Sequence, residues 1–144
     1  MAKTYGANTA PRGQLPIGQV DGSVQGGHVR VYREKITLAS QAAADTIVVG
    51  YPSKGESFLY GVLTSDTDLG ATATIAIGNS TATGKYRAAA TFRTTLTPTL
   101  FGAVSADVGG LAKLAIDEEV IVTVGAAALP AAGNLYVDLY FAAT

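Results

Sequence analysis

Two stretches decide the reading of this chain. One is Glu119-Val120-Ile121-Val122-Thr123-Val124. The other is Asn134-Leu135-Tyr136-Val137-Asp138-Leu139-Tyr140-Phe141-Ala142. In the first, Val120, Val122 and Val124 share one face. In the second, Leu135, Val137, Leu139 and Phe141 point one way, and Tyr136, Asp138 and Tyr140 the other. A repeat of two residues is that of an extended strand with one buried face. Only the small residues from Ala126 to Gly133 separate the runs, and this arrangement predicts an antiparallel pair.

Working outward, strand follows strand. His28 to Leu38 opens the series; Val29 and Val31 occupy one parity and Ile36 and Leu38 the other, which predicts a bulge or break near Arg33. Thr46 to Tyr51, Ser57 to Ser65 and Thr72 to Ile77 follow, the last with Ala73, Ile75 and Ile77 inward. Lys85 to Phe92 reads as a weaker strand in which Ala88-Ala89-Ala90 also permits a helical turn. Thr97-Pro98 limits Leu96 to Val104 to an edge or a connection. Leu111 to Ile116 is a short candidate strand. About eight strands with turn residues every 8–12 positions predict an all-β, antiparallel β-sandwich, and that number of strands suits a jelly roll. Alternation does not encode strand order, so another eight-stranded sandwich stays open.

Residues 1–27 are different. Gly6, Pro11, Gly13, Pro16, Gly18, Gly22, Gly26 and Gly27 exclude a helix and any long strand. A disordered tail and an extended N-terminal arm both fit. Leu15, Ile17 and Val20 favour an arm laid on a surface, since purely solvated tails are poor in apolar residues. The expected organisation is an arm over 1–27 and a sandwich domain over 28–144.

Composition narrows the function. Apolar residues make up 48% of the 144 and charged residues 15%, with a net charge of −1. The usual charged share is about 25%. Thr, Ser, Gly and Ala must therefore supply much of the surface, or a partner covers some of it. No run of Lys and Arg could neutralise a row of phosphates, which argues against nucleic acid. Arg30, Arg33 and Lys35 read as a solvated strand face. No stretch approaches the ~20 apolar residues of a membrane span. Met1 to Gly18 lacks the apolar core of a signal peptide, so synthesis and folding in the cytoplasm are expected.

Chemistry is hard to find. Cysteine is absent, and the one histidine, His28, cannot build a zinc site without several carboxylates nearby. Asp66 and Asp68 resemble a fragment of a calcium loop, but the glycine and the distal glutamate of such a loop are missing. Asp117-Glu118-Glu119 reads as a solvated turn. No phosphate-binding glycine loop and no nucleophile elbow occur. No residue qualifies as catalytic, cofactor-binding or metal-binding. Seven tyrosines remain; Tyr136 and Tyr140 share one strand face, where an interface is favoured over a ligand platform.

Several segments together resemble a known family. They are Tyr5-Gly6, Gly13-Gln14-Leu15-Pro16-Ile17-Gly18, Gly26-Gly27-His28-Val29-Arg30-Val31, Thr46 to Gly50, Pro52-Ser53-Lys54-Gly55, Thr74 to Asn79 and Lys85 to Ala90. The chain is similar to capsid decoration (cement) proteins, small virion structural proteins of tailed bacteriophages. The resemblance implies a non-enzymatic protein on the capsid exterior. It also implies a homodimer or homotrimer that clamps neighbouring copies of the major capsid protein. Such a role points to the arm (Leu15, Pro16, Ile17) and the tyrosine face (Tyr136, Tyr140) as contact residues. The rival expectation is a carbohydrate- or receptor-binding β-sandwich module of a virion, which would need a concave aromatic site.

Overall fold

Extended backbone forms where β-branched and aromatic residues recur between glycine and proline turns. The computed structural model describes residues 27–102 and 112–143. Its strands are β1 (His28–Thr37), β2 (Thr46–Gly50), β3 (Ser57–Ser65), β4 (Thr74–Gly78), β5 (Arg87–Ala90), β6 (Thr99–Phe101), β7 (Val120–Gly125) and β8 (Asn134–Ala143). They build two antiparallel four-stranded sheets, in the orders β1-β8-β3-β6 and β2-β7-β4-β5.

The topology follows from nested pairs. β4 pairs with β5, β3 with β6, β2 with β7 and β1 with β8, as in one long hairpin bent at the β4–β5 connection. Winding that hairpin brings β8 beside β3 and β7 beside β4, which completes the two sheets. This is the strand order of a jelly roll.

The inner faces make one core. Leu135, Val137, Leu139 and Phe141 from β8 are fully buried against Val120, Val122 and Val124 from β7 and Ile75 and Ile77 from β4. The Phe141 ring meets the edges of Tyr32, Phe58 and Tyr86 at centroid distances of 5.6, 5.3 and 6.0 Å. It therefore ties three strands and one loop together.

Several sequence expectations are corrected. β7 and β8 do not pair. Their apolar faces oppose each other from different sheets, and the connection between them arches across the end of the sandwich. Leu129 plugs that end, with its N–H donating to the Gln41 carbonyl. The long β8 instead finds ten partners along β1 in unbroken register. No bulge occurs near Arg33: β1 keeps one parity throughout, and Val29 and Val31 point outward. The irregularity falls in β3, between Phe58 and Tyr60, which sends Phe58 into the core and Tyr60 out. Ala88-Ala89-Ala90 is strand rather than helical turn. Of the candidate strand at 111–116, Lys113 makes a single bridge to Ser57, and Leu111 lies outside the described residues.

The edge strand β6 is set by one glycine. Gly61 in β3 lies opposite Phe101, and a Cβ there would sit 2.1 Å from the ring's Cζ. The ring fills this space and packs against the core, so the preceding Leu100 must point outward.

Two stability outcomes follow. Phe141→Ala is expected to cost about 3–5 kcal/mol in urea unfolding, since it empties the junction of three aromatic rings. Gly61→Ala is expected to cost about 1–3 kcal/mol by expelling Phe101. The second loss should be accompanied by faster amide exchange in Thr99–Phe101.

Candidate interaction surface

A sandwich strand that buries alternate residues leaves the others on its outer face. On the β8 sheet these outer residues line up in rows set by register. Val31, Tyr140 and Tyr60 form one row across β1, β8 and β3. Arg33, Asp138, Val62 and Leu100 form the next, reaching β6. Lys35, Tyr136 and Thr64 form a third.

Most of this face is apolar and open. Val29 is 58% exposed, Val31 45% and Leu100 71%. Tyr60 and Tyr140 stack with ring centroids 4.6 Å apart and planes 16° from parallel. At the centre, the Arg33 Nε donates to Asp138 Oδ1 at 2.9 Å. The fragments of charge and aromatic surface are thus interleaved across four strands rather than gathered in a cavity.

The structure brings Tyr136 and Tyr140 together on this face, half-buried on either side of Asp138. Leu15, Pro16 and Ile17 lie outside the described residues. Sequence reasoning missed Val31, Tyr60, Val62 and Leu100. The conflicting parity of Val29 and Val31 against Ile36 was a usable signal: outward valines on a single continuous strand. Tyr60 carried none, because the irregularity at Leu59 reverses its parity relative to Phe58.

Charged groups elsewhere are engaged in structural roles. Glu56 is only 3% exposed. It accepts from Arg30 at 2.8 Å, from the Tyr32 hydroxyl at 2.7 Å and from the Ser53 N–H at 3.1 Å. Burial, and then the bond to Glu56, push the Tyr32 hydroxyl above its ordinary range. Asp66 accepts from the Asn134 N–H at 2.7 Å and from the Asn134 amide at 2.8 Å. Asp68 accepts from the Gly70 N–H and from Arg93. The two carboxylates hold loops rather than converge, and among the described residues no group of three or more potential ligands could hold a metal ion.

Glu118 corrects the reading of residues 117–119 as a solvated turn. It is half-buried and accepts from Lys85 Nζ at 2.6 Å, from Asn79 Nδ2 at 2.9 Å and from the Tyr86 hydroxyl. Burial alone would raise its pKa, but the bonds from Lys85, Tyr86 and Asn79 outweigh this and hold it below the usual carboxylate range. Beside it, Phe58, Tyr86, Leu114 and Ile116 line a cleft of about 290 Å³ at one end of the sandwich. Tyr86 is buried, with its hydroxyl committed to Glu118, so the cleft presents no open aromatic platform.

No protein-family model matches the sequence, and no curated protein matches it. Solved structures do resemble the fold. A chain of the cyanophage Pam1 capsid asymmetric unit aligns over 82% of this chain and 86% of its own length, with a TM-score of 0.65 and 20% identity. A chain of the capsid of Ralstonia phage GP4 aligns over the same shares, with a TM-score of 0.62 and 21% identity. At such identities the likeness is one of fold: an all-β sandwich of the kind found in those phage capsids.

The depressed carboxylates predict the acid response. A group whose folded pKa is lowered stabilises above its unfolded value, near pH 4, and that contribution is lost as pH falls through the folded value. Asp66, Asp68 and Glu118 all act in this direction. Glu118→Gln should lower Tm at neutral pH by leaving Lys85 unpaired. The gap from the parent should begin to narrow as pH falls below the unfolded value, about 4.3, and should close only below the lowered folded value, where the parent glutamate is itself protonated. Calorimetry across that range checks both parts.

Proposed function

We propose that this chain is a structural virion protein, a capsid decoration or cement protein. On this reading it binds the outside of a phage head and stabilises contacts between major capsid proteins, without enzymatic activity. The observation that carries the reading is the open apolar face of the β8 sheet, on a fold shared with chains of the Pam1 and GP4 capsids. Exposed apolar patches rimmed by polar groups are characteristic of interaction sites. Tyrosine offers large contact area with a polar tip that stays soluble before docking.

Cementing needs no chemistry. A protein that binds the assembled lattice and not its loose subunits stabilises the lattice by mass action. Two modest contacts on one molecule suffice, because the second becomes intramolecular. The face around Tyr136 and Tyr140 is one such contact; the N-terminal arm, through Leu15, Pro16 and Ile17, is the other.

The test is add-back of purified protein to phage heads that lack it, followed by sedimentation. Tyr140→Ser combined with Leu100→Asp should weaken binding by about 2 kcal/mol or more, roughly 30-fold, while the Tm stays within a few degrees. Removal of residues 1–20 should abolish binding and leave the domain folded. Full binding by both variants, or glycan binding by the parent protein, would displace the cement reading.

A further inference from the structure

The rim of each sheet shows how the fold manages unpaired backbone. An edge strand carries a row of free N–H and C=O groups, and natural proteins blunt such edges by shortness, proline, irregularity or charged residues. Three of the four edges here are blunted. β6 has three residues and follows Pro98. β5 has four, with a register shift against β4. β2 has five, with a shift at Val48 to Gly50. β1 differs: it has ten residues, no proline and ten unshifted pairs along its inner neighbour, and it is guarded by charge alone, through Arg30, Arg33, Glu34 and Lys35. Among the described residues no strand pairs with its outer edge. Its residues are exposed except Tyr32, which is half-buried, and Ile36.

We infer that this edge pairs antiparallel with β1 of a second copy of the chain, about a two-fold axis at Tyr32. In a continuous sheet, paired residues share a face, so the symmetric registers are restricted to those centred on a residue. Two of them pair all but one of the ten residues. Centring on Arg33 sets Arg33 against its own copy, and like charges directly opposite oppose pairing. Centring on Tyr32 sets Arg30 of each chain against Glu34 of the other, twice over. The Arg30 side chain is 58% exposed, and it reaches Glu56 through Nη1 alone, so its solvent-facing side can take a second carboxylate. On the outer face the same register lays the Arg33 stem along Val31 of the other copy, while Asp138 neutralises the Arg33 charge. The outcome is one eight-stranded sheet whose two apolar faces lie side by side.

The experiment is light scattering of the full chain after size exclusion, combined with amide exchange of β1, and it needs no capsid. Its result is therefore separate from that of the add-back experiment. The expected result is a dimer with protected amides along β1. Glu34→Lys, at an exposed position, should weaken that dimer at least tenfold, whereas Glu119→Lys, the same charge change on the other sheet, should not. A trimer, or a dimer indifferent to Glu34→Lys, would overturn the inference. So would a monomer, whether its β1 amides are exposed or protected by another part of the same chain.

Discussion

Everything in this fold hangs on β8 being shared. Its backbone pairs with β1 on one side and β3 on the other, and its inner side chains fill the centre of the core. Four consecutive inward positions carry large apolar groups, and all four belong to one core cluster with residues of β7 and β4 from the opposite sheet. Removing these groups from water supplies the dominant favourable term, and the two ladders satisfy the polar backbone that burial would otherwise strand. Its outer residues also stand in register with those of β1 and β3. Core and candidate surface are thus two sides of the same nine or ten residues.

Hydrogen-bonded carboxylates organise the periphery. Glu56 joins β1 to the turn before β3, Glu118 joins its own turn to the β4–β5 loop beside the end cleft, and Asp66 clasps the start of β8. Each links chain segments distant in sequence. Loops that cross between sheets leave backbone donors and side chains unpaired, and one anion with two oxygens can satisfy several of them at once. In a chain with so few charges, these acids are committed to the frame. On the outer face of the β8 sheet that leaves tyrosine, valine, leucine, Lys35, Thr64 and the Arg33–Asp138 pair.

Much of this was legible in the sequence. The alternation in Val120–Val124 and Leu135–Phe141 gave the inward faces correctly, and Thr97-Pro98 marked an edge. Tyr136 and Tyr140 were recognisable as one outward face. Partnership was not legible. A two-residue period says which way a side chain points but nothing about which strand lies alongside, so β7 and β8 looked like a hairpin when they belong to opposite sheets. The irregularity at Leu59 was hidden for a related reason: Phe58, Tyr60 and Val62 are all apolar or aromatic, and no polar residue marks the change of side. Glu118 looked solvated because its partners, Asn79, Lys85 and Tyr86, come from a loop some thirty-odd positions away.

The composition of the outer face bears on how a sticky surface stays selective. A patch of leucine alone would gain from any apolar contact, including contact with unfolded chains. Here the centre of the patch holds Arg33 and Asp138, with the carboxylate already largely shielded by its neighbours while the guanidinium remains mostly in water. Covering the patch removes water from both charges. Desolvation of an ion pair is recovered only where the covering surface supplies hydrogen bonds of its own. A partner with matching polar groups is therefore favoured over one that is merely greasy, and discrimination comes from the penalty imposed on the wrong partner as much as from affinity for the right one. The tyrosines act in the same direction, since each hydroxyl must also keep a partner when its ring is buried. An interface made this way tolerates an exposed life before assembly and still closes tightly on a surface shaped to receive it.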